Sequence, residues 1–396
     1  MSKHLPQSAI PDSLSLAHRA LPAGLYLHIP FCLSKCPYCG FYSVVNSEST
    51  EAFVNALTEE VKAVATPLPP LLSTFDTIYF GGGTPSILRI EQLENILNYI
   101  HKYFKLTSDI EITFETNPGD VEFSYLKDIS GLGINRLNLG IQSFDDRILG
   151  FLGRRHTAAQ AREAIKYARQ SGFKNLGLDL IYGTPHQEID SWMETLGTAV
   201  TYSPEHLSCY ELTIEENTPF ALKVQKGMFA LPDEETQREF FIRTSEFLEA
   251  RGYIHYEVSN FARGEAYLSR HNQKYWDHTP YLGIGPSAHS FNGSQRWWNH
   301  RSIGQYIAAI TEGSSPIESF EDLTPEQRMM EEIFFGMRTR KGINLKRFRA
   351  EFQVDLELKK GKTLSLLEQE GLITIQKGVL SPTRTGLAVA DTLALL

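Results

Sequence analysis

The sequence predicts an α/β protein built on a parallel β-sheet, followed by a smaller C-terminal part of helices and short strands. Six apolar runs of strand length alternate with segments that have the 3.6-residue spacing of amphipathic helices. Several runs are continuously apolar, as expected for strands that helices cover on one face. Strands connected through helices imply right-handed crossovers and therefore a parallel sheet.

The predicted elements follow one another at a regular pitch. The strands are expected at residues 25–31, 77–80, 111–115, 136–142, 176–182 and 206–212. The helices between them are expected at residues 51–65, 90–103, 124–132, 158–171 and 191–202. Periodicity alone leaves three arrangements open: a closed eight-stranded barrel, an open doubly wound sheet and an incomplete barrel.

A chain of 396 residues is long enough for two or three domains. Past the sheet, three helix-like segments followed by two short extended runs are typical of a winged-helix-like module. The predicted divisions are a flexible lead-in (1–20), the sheet domain (21–252), an α+β extension (253–312), a Gly-, Ser- and Pro-containing linker (313–325) and the winged-helix-like domain (326–396).

Composition and charge exclude several classes of protein. With 42% apolar and 21% charged residues, the chain has the composition of an ordinary globular protein. Its net charge of −9 disfavours general nucleic-acid binding. Residues 326–396 contain 12 Lys and Arg against 9 Asp and Glu, and this excess of positive charge is too small to neutralise many phosphates. We expect no signal peptide and no membrane span, because no apolar run has the required length.

Three of the four cysteines, Cys32, Cys36 and Cys39, have the spacing C-x3-C-x2-C directly after the first predicted strand. Thiolates are the ligands of iron–sulfur clusters, and three thiolates on a four-iron cube leave one iron open to a molecule that carries an amine and a carboxylate. The alternatives are a disulfide with a spare thiol, or a zinc site, which usually has a fourth Cys or His. Cys209 stands alone in an apolar run and is predicted to be buried. The lack of a disulfide framework favours a cytoplasmic protein.

The cysteine spacing, within the string Y-x-H-I-P-F-C at residues 26–32, resembles that of radical S-adenosylmethionine (SAM) proteins, in particular their coproporphyrinogen dehydrogenase and HemW-like branch. The resemblance implies an incomplete, curved (β/α)6 barrel. It also implies a [4Fe-4S] cluster on the three cysteines, SAM at the open iron and an electron donor for the cluster. One electron passed to the sulfonium would break a C–S bond and produce a 5′-deoxyadenosyl radical.

A second motif, G-G-G-T-P at residues 81–85, follows the second predicted strand. Glycines let the backbone approach a ligand closely, and in the family this loop holds the methionine end of SAM. The resemblance assigns Tyr26, Gly82 and Glu115 to the cluster-bound SAM. Positions that contact a second SAM in the coproporphyrinogen dehydrogenases correspond here to Gly83, Thr84, Gln142, Arg154 and Asp179. Hydroxyl, amide, carboxylate and guanidinium groups suit the polar atoms of such a ligand.

Two features separate this chain from the dehydrogenases. Phe41 stands where those enzymes carry a fourth cysteine. Residues 271–276 form the string H-N-x-x-Y-W, which in HemW-like proteins is associated with haem, so His271 is the predicted axial ligand. Three nearby histidines are alternative ligands: His278, His289 and His300.

The leading hypothesis is a haem chaperone that delivers haem to haem-requiring proteins, with peripheral contact to membrane haem proteins allowed. One alternative is an oxygen-independent coproporphyrinogen III dehydrogenase, which would decarboxylate propionates to vinyl groups. The other alternative is nucleic-acid binding or partner docking through residues 326–396.

Overall fold

The computed structural model describes residues 21–45, 48–65 and 68–396. The predicted lead-in, residues 1–20, lies outside the described residues. The described chain contains a twelve-stranded mixed sheet and a separate three-stranded sheet. None of its helices is both long and apolar enough to cross a lipid bilayer.

Six parallel strands form the centre of the large sheet and confirm the six predicted strands. They are, as β1 to β6, Ala23–Ile29, Phe75–Gly82, Leu106–Thr116, Arg136–Gln142, Leu176–Tyr182 and His206–Glu211. Each pairs with its neighbour in chain order, as right-handed crossovers require. On their outer sides β1 and β6 pair with later strands and not with each other, so the barrel is incomplete, as predicted.

Eight helices accompany these strands; six of them share the main apolar core, whereas the fourth and seventh belong to a smaller separate cluster around Ile148 and Phe220. They are, as α1 to α8, Thr50–Val64, Ile90–Tyr103, Phe123–Gly131, Asp146–Phe151, Ala158–Gln170, Ile189–Thr201, Pro219–Gln225 and Glu234–Glu249. Helix α5 illustrates how local sequence determines an element. Thr157 and Gln160 cap its first turn reciprocally, and the small side chains of Ala161 and Ala164 form a buried face that lies close to the sheet.

The chain beyond α8 adds strands to both edges of the parallel sheet. Its elements are β7 (Ile254–Glu257), β8 (Asn260–Ala262), α9 (Arg270–Trp276), β9 (Tyr281–Ile284), β10 (His289–Phe291), β11 (Gln295–Asn299), α10 (Ile303–Thr311) and β12 (Ile317–Asp322). β8 and β7 extend the sheet antiparallel beyond β6. On the opposite side β9 pairs parallel with β1, and β10 to β12 continue antiparallel. The predicted extension is therefore part of the main sheet.

Strand β12 lies inside the segment 313–325 that we predicted to be a linker, so that prediction is wrong for residues 317–322. β12 pairs antiparallel with β11, with Phe320 opposite Trp297. Half of its six residues are acidic and most are exposed, which is common for an edge strand. The sequence has no apolar alternation here, because the strand is formed by its partner and not by burial of its own side chains.

The C-terminal domain has the predicted winged-helix-like order, with one additional short strand. Its elements are α11 (Pro325–Gly336), β13 (Ile343–Asn344), α12 (Leu345–Phe352), α13 (Leu356–Gln369), β14 (Ile373–Gln376), β15 (Val379–Pro382), α14 (Arg384–Leu387) and α15 (Ala390–Leu393). The domain has its own apolar core around Met337, Phe348 and Leu380. Arg384 joins it to α8 through Glu246 at 3.1 Å.

A buried carboxylate, Glu60 on α1, ties the extension to the sheet domain. It accepts hydrogen bonds from Gly285 N at 2.8 Å, Asn299 Nδ2 at 2.6 Å and the Tyr306 hydroxyl at 2.6 Å. Glu60→Ala would leave the buried Gly285 N–H and Tyr306 hydroxyl without an acceptor, each costing about 1–3 kcal/mol, and would remove one of the two acceptors of Asn299 Nδ2. We expect the free energy of unfolding to fall by about 3 kcal/mol or more, measured by urea denaturation.

Glu59→Ala is the matched control, because Glu59 is exposed and, among the described residues, forms an ion pair with Lys62 alone, one turn along the same helix. Equal effects of the two substitutions would contradict a stabilising role of the Glu60 hydrogen bonds.

Burial raises the pKa of Glu60 to about 7, so the folded chain binds a proton that the unfolded chain has released. The stability of wild type relative to Glu60→Gln should therefore fall as the pH rises from about 4.5 to about 7.

Candidate functional site

The cysteine loop follows β1 and is held to its end by backbone hydrogen bonds. Cys32 N donates to Val44 O at 3.0 Å, and Val44 N donates to Pro30 O at 2.7 Å. Phe31 is buried, and its ring packs edge-on against Phe53 with 5.2 Å between centroids. The first cysteine therefore leaves the sheet from a rigid point.

The thiols of Cys32, Cys36 and Cys39 are free and half-buried, whereas Cys209 is buried in β6, as predicted. Within the described ranges, no three His, Cys, Asp or Glu side chains converge on one metal position. Three free, half-buried thiols on one loop are a donor set suited to an iron–sulfur cluster, in which each thiolate binds a different iron.

Two side chains donate hydrogen bonds to cysteine sulfurs and are joined by a third. Thr84 Oγ1 lies 3.6 Å from Cys32 Sγ, and Arg154 Nη1 lies 3.4 Å from Cys36 Sγ. Asn117 donates to Thr84 Oγ1 at 3.0 Å and accepts from Arg154. Donors directed at sulfur stabilise a thiolate and tune a bound cluster. We call Thr84, Asn117 and Arg154 the sulfur network.

The two adjacent arginines point in different directions. Arg154 also donates to Gly140 O at 3.0 Å, inside the rim of the barrel. Arg155 forms an ion pair with Asp120 at 2.8 Å, and 46% of its side chain is exposed. Sequence reasoning assigned no function to Asn117; the available signal was its position in the polar string that ends β3.

The glycines of residues 81–83 are required by the contact between the β2 end and β1. Gly83 N donates to Ile29 O at 2.8 Å, and a Cβ at Gly83 would lie 2.5 Å from Phe31 O. Gly82 has φ +103°, and a Cβ there would lie 2.6 Å from the His28 ring. Side chains at these positions would therefore displace the base of the cysteine loop as well as any ligand.

Carboxylate and amide groups of the predicted ligand set lie at the strand ends with unused hydrogen-bonding capacity. Glu115 accepts from the Tyr79 hydroxyl at 2.5 Å, and burial, with the charge of Asp179, raises the pKa of Glu115 to about 7. Burial raises the pKa of Asp179 to about 6. Asp179 Oδ1 and Gln142 Oε1 are buried without a hydrogen-bond partner in the described structure. Such acceptors are suited to hydroxyl or amino donors of a ligand.

Tyr26 and His28 connect β1 to the far end of the cysteine loop. The Tyr26 hydroxyl lies 3.1 Å from His28 Nδ1, and His28 Nε2 lies 2.9 Å from Tyr42 O. Burial lowers the pKa of His28 to about 4, so its ring is neutral. Because Nε2 must donate to a carbonyl, Nδ1 accepts from Tyr26. The sequence analysis missed this function of His28.

His271, the predicted haem ligand, is engaged within the protein. Its Nδ1 lies 2.8 Å from Thr77 Oγ1 and its Nε2 lies 2.9 Å from the Tyr275 hydroxyl. The side chain is 1% exposed, and burial lowers its pKa to about 3. An iron bond at His271 would first have to break one of these contacts. In this structure His271 has no free ring nitrogen, and its assignment as axial ligand stays a prediction.

A cavity of about 570 Å³ opens beside the cysteine loop, within the ~300–1,000 Å³ typical of small-molecule sites. Aromatic rings form much of its wall, together with one exposed imidazole, one arginine and one carboxylate. The wall includes Tyr26, Phe41, Tyr42, Tyr275, Tyr281, His289, Trp298, Arg301 and Glu318, and the Glu318 carboxylate faces His300 at 3.8 Å. Phe41, the residue at the fourth-cysteine position, is 67% exposed at the entrance.

Comparison with known proteins identifies two families of domain in this chain. The model of the radical SAM superfamily matches residues 26–199, and the model of the HemN C-terminal domain matches residues 323–389. In the solved structure of the E. coli coproporphyrinogen III oxidase HemN, a radical SAM enzyme, 91% of the chain superposes on 96% of this one with a TM-score of 0.81. At 23% identity this likeness establishes the fold and not the activity.

Relatives at higher identity span almost the whole chain. The heme chaperone HemW of Bacillus subtilis is 35% identical over 91% of this chain and 95% of its own length. The heme chaperone HemW of Mycobacterium tuberculosis H37Rv is 35% identical over 83% of this chain and 85% of its own. On the identity and coverage of these relatives, with cysteines and glycine loop in place at the rim of the same fold, the chain belongs to the HemW family of radical SAM proteins.

Proposed function

We propose that this protein is a haem chaperone: it holds a [4Fe-4S] cluster and SAM on its radical SAM domain, binds haem, and delivers haem to haem-requiring proteins. The family membership supports the general function. The observation that carries haem binding is the cavity beside the cysteine loop, because its wall combines aromatic rings that can pack on a flat macrocycle with polar and charged groups.

Cys32, Cys36 and Cys39 are the proposed cluster ligands. They fit because they are free, half-buried and close to hydrogen-bond donors from the sulfur network. A bound cluster with SAM supplies one-electron chemistry at a sulfonium. The chain's own residues orient the ligands: the backbone of residues 81–83 anchors the loop, and Arg154 supplies positive charge beside Cys36.

The residues that we propose to contact or to position SAM are Tyr26, Gly82, Gly83, Thr84, Glu115, Gln142, Arg154 and Asp179. The groups are not equivalent in the structure. Asp179 and Gln142 have acceptors without partners, which supports direct contact with a ligand. The Tyr26 hydroxyl and the Arg154 guanidinium are already hydrogen-bonded to the protein, so we assign them a positioning function.

A dehydrogenase function is less well supported than a chaperone function. Phe41 replaces the additional cysteine of the dehydrogenases and lies at the entrance of the cavity. The likeness to the HemN structure concerns the fold alone. We therefore propose that the protein retains haem and does not decarboxylate coproporphyrinogen.

The proposed partners are haem-accepting proteins and an electron donor for the cluster. Four free cysteines support a reducing compartment, and we propose the cytoplasm. For the C-terminal domain we propose no nucleic-acid function. Several of its basic side chains form intramolecular ion pairs, such as Arg340 with Glu249 at 2.8 Å and Lys341 with Asp277 at 2.7 Å.

Removal of one cluster ligand is the first test. In Cys36→Ala, anaerobic reconstitution followed by iron and sulfide analysis should yield less than the roughly four irons per chain of wild type, because one iron loses its thiolate. Cys209→Ala is the control and should retain the wild-type iron content. A full and spectroscopically unchanged cluster in Cys36→Ala would remove that cysteine from the site.

The adjacent arginines offer a matched pair for the sulfur network. Arg154→Ala removes charge-assisted hydrogen bonds worth about 1.5–3 kcal/mol, so SAM affinity measured anaerobically by equilibrium dialysis should fall about tenfold or more. Arg155→Ala should leave it unchanged, because that side chain faces Asp120 and solvent. The same affinity in both variants would argue against a positioning function of Arg154.

The function itself is tested by offering the reconstituted wild-type protein haem and coproporphyrinogen under anaerobic conditions. We expect haem to remain bound through gel filtration with a shifted Soret band. With SAM and reductant, coproporphyrinogen should give no protoporphyrinogen. Steady decarboxylation would reject the chaperone proposal in favour of the dehydrogenase.

A further inference from the structure

The geometry points to His289 as the axial ligand of haem in the cavity beside the cysteine loop, with Arg301 as the partner of a haem carboxylate. This inference rests on the proposed haem binding and adds the site and the two groups that recognise the cargo. Four features of the cavity carry it: an available imidazole, the engagement of the other histidines, a fixed aromatic wall and an arginine that forms no ion pair among the described residues, although Glu318 also lines the cavity.

His289 presents an imidazole to the cavity that the protein does not otherwise use. It is exposed at the start of β10 and makes no side-chain hydrogen bond within the described part of the chain. Its ring stacks on Trp298 of the paired strand, with 5.6 Å between centroids and 27° between planes. Partial burial lowers its pKa, which favours the neutral ring that binds metals.

The other histidines of the region are less suited to bind iron. His28 lines the same cavity, yet both its ring nitrogens are engaged, by Tyr26 and by Tyr42 O. His278 lies in a separate pocket of about 50 Å³ and faces Glu331 at 3.8 Å.

His300 is not part of the cavity wall and faces Glu318 at 3.8 Å. His271 is buried with both ring nitrogens hydrogen-bonded.

His271 has a different function in this arrangement: it fixes the aromatic wall. Its Nε2 contacts the Tyr275 hydroxyl at 2.9 Å, and the Tyr275 ring packs edge-on against Tyr281 at 4.8 Å. Both tyrosines line the cavity. The H-N-x-x-Y-W string therefore contributes Tyr275 to the wall of the proposed haem cavity, while His271 is a positioning residue.

Arg301 supplies the charge that a haem carboxylate requires. It lies on the cavity wall, is exposed, and forms no ion pair among the residues that the structure describes. Its guanidinium lies 5.8 Å from the centre of the Tyr42 ring, at the edge of cation–π range, which keeps it beside the aromatic wall. Arginine binds carboxylates in a planar, bidentate geometry. A macrocycle in the cavity would then have iron bound at His289 and a propionate at Arg301.

The test is haemin titration of the reconstituted full-length protein, with wild type, His289→Gly and His271→Ala compared by Soret spectrum and affinity. His289→Gly should lose the wild-type Soret position and bind about tenfold or more weakly, and added imidazole should restore the spectrum. His271→Ala should keep the wild-type ligand spectrum, bind more weakly and be insensitive to imidazole. His300→Gly is the control and should behave as wild type.

Arg301→Ala is tested with haemin and its dimethyl ester. Wild type should prefer the free acid, and the variant should lose that preference without a change in Soret position. A wild-type spectrum in His289→Gly, or a preference that survives Arg301→Ala, would overturn the corresponding assignment and leave the proposed function standing. A wild-type protein that retains no haem would overturn the proposed function and this inference together.

Discussion

The site depends on the backbone contact between the end of β2 and the cysteine loop. Gly83 N and Thr84 N donate to the carbonyls of Ile29 and Phe31 at 2.8 and 2.7 Å. This contact is possible because Gly83 has no Cβ. It sets the first cysteine beside Thr84, whose hydroxyl begins the sulfur network through Asn117 and Arg154. The glycine loop thus holds the cysteine loop in place independently of any contact with a ligand.

A second constraint is the position of β9 in the sheet. Because β9 pairs with the open side of β1, the antiparallel strands of the extension continue directly from the strand that carries the cysteine loop. Residues 40–42, which directly follow Cys39, line the cavity that we propose for haem, so this cavity lies next to the proposed cluster ligands. Closure of β1 onto β6 would have left no room for β9 and no cavity at this edge.

Buried polar groups divide into two kinds in this protein. Glu60 and His271 have all their hydrogen-bonding atoms paired and hold elements together. Asp179 and Gln142 keep buried acceptors without partners in the described structure. Since an unsatisfied buried acceptor is costly, the paired groups contribute to stability, and the two unpaired acceptors, which belong to the predicted ligand set, are suited to the donors of a ligand.

The sequence by itself determined the six parallel strands, five of the six helices between them, the winged-helix-like domain and the cysteine and glycine motifs, because these depend on local periodicity and on spacing within one segment. It did not reveal β12, an acidic strand that forms by backbone pairing with β11, because its own residues show no strand pattern. Nor did it show which of Arg154 and Arg155 points into the barrel. It also did not show which of His289 and His271 has its ring nitrogens hydrogen-bonded within the protein. The direction of a side chain and the partners of its nitrogens depend on residues far away in the chain, such as Thr77 beside His271, so only the tertiary structure decided them.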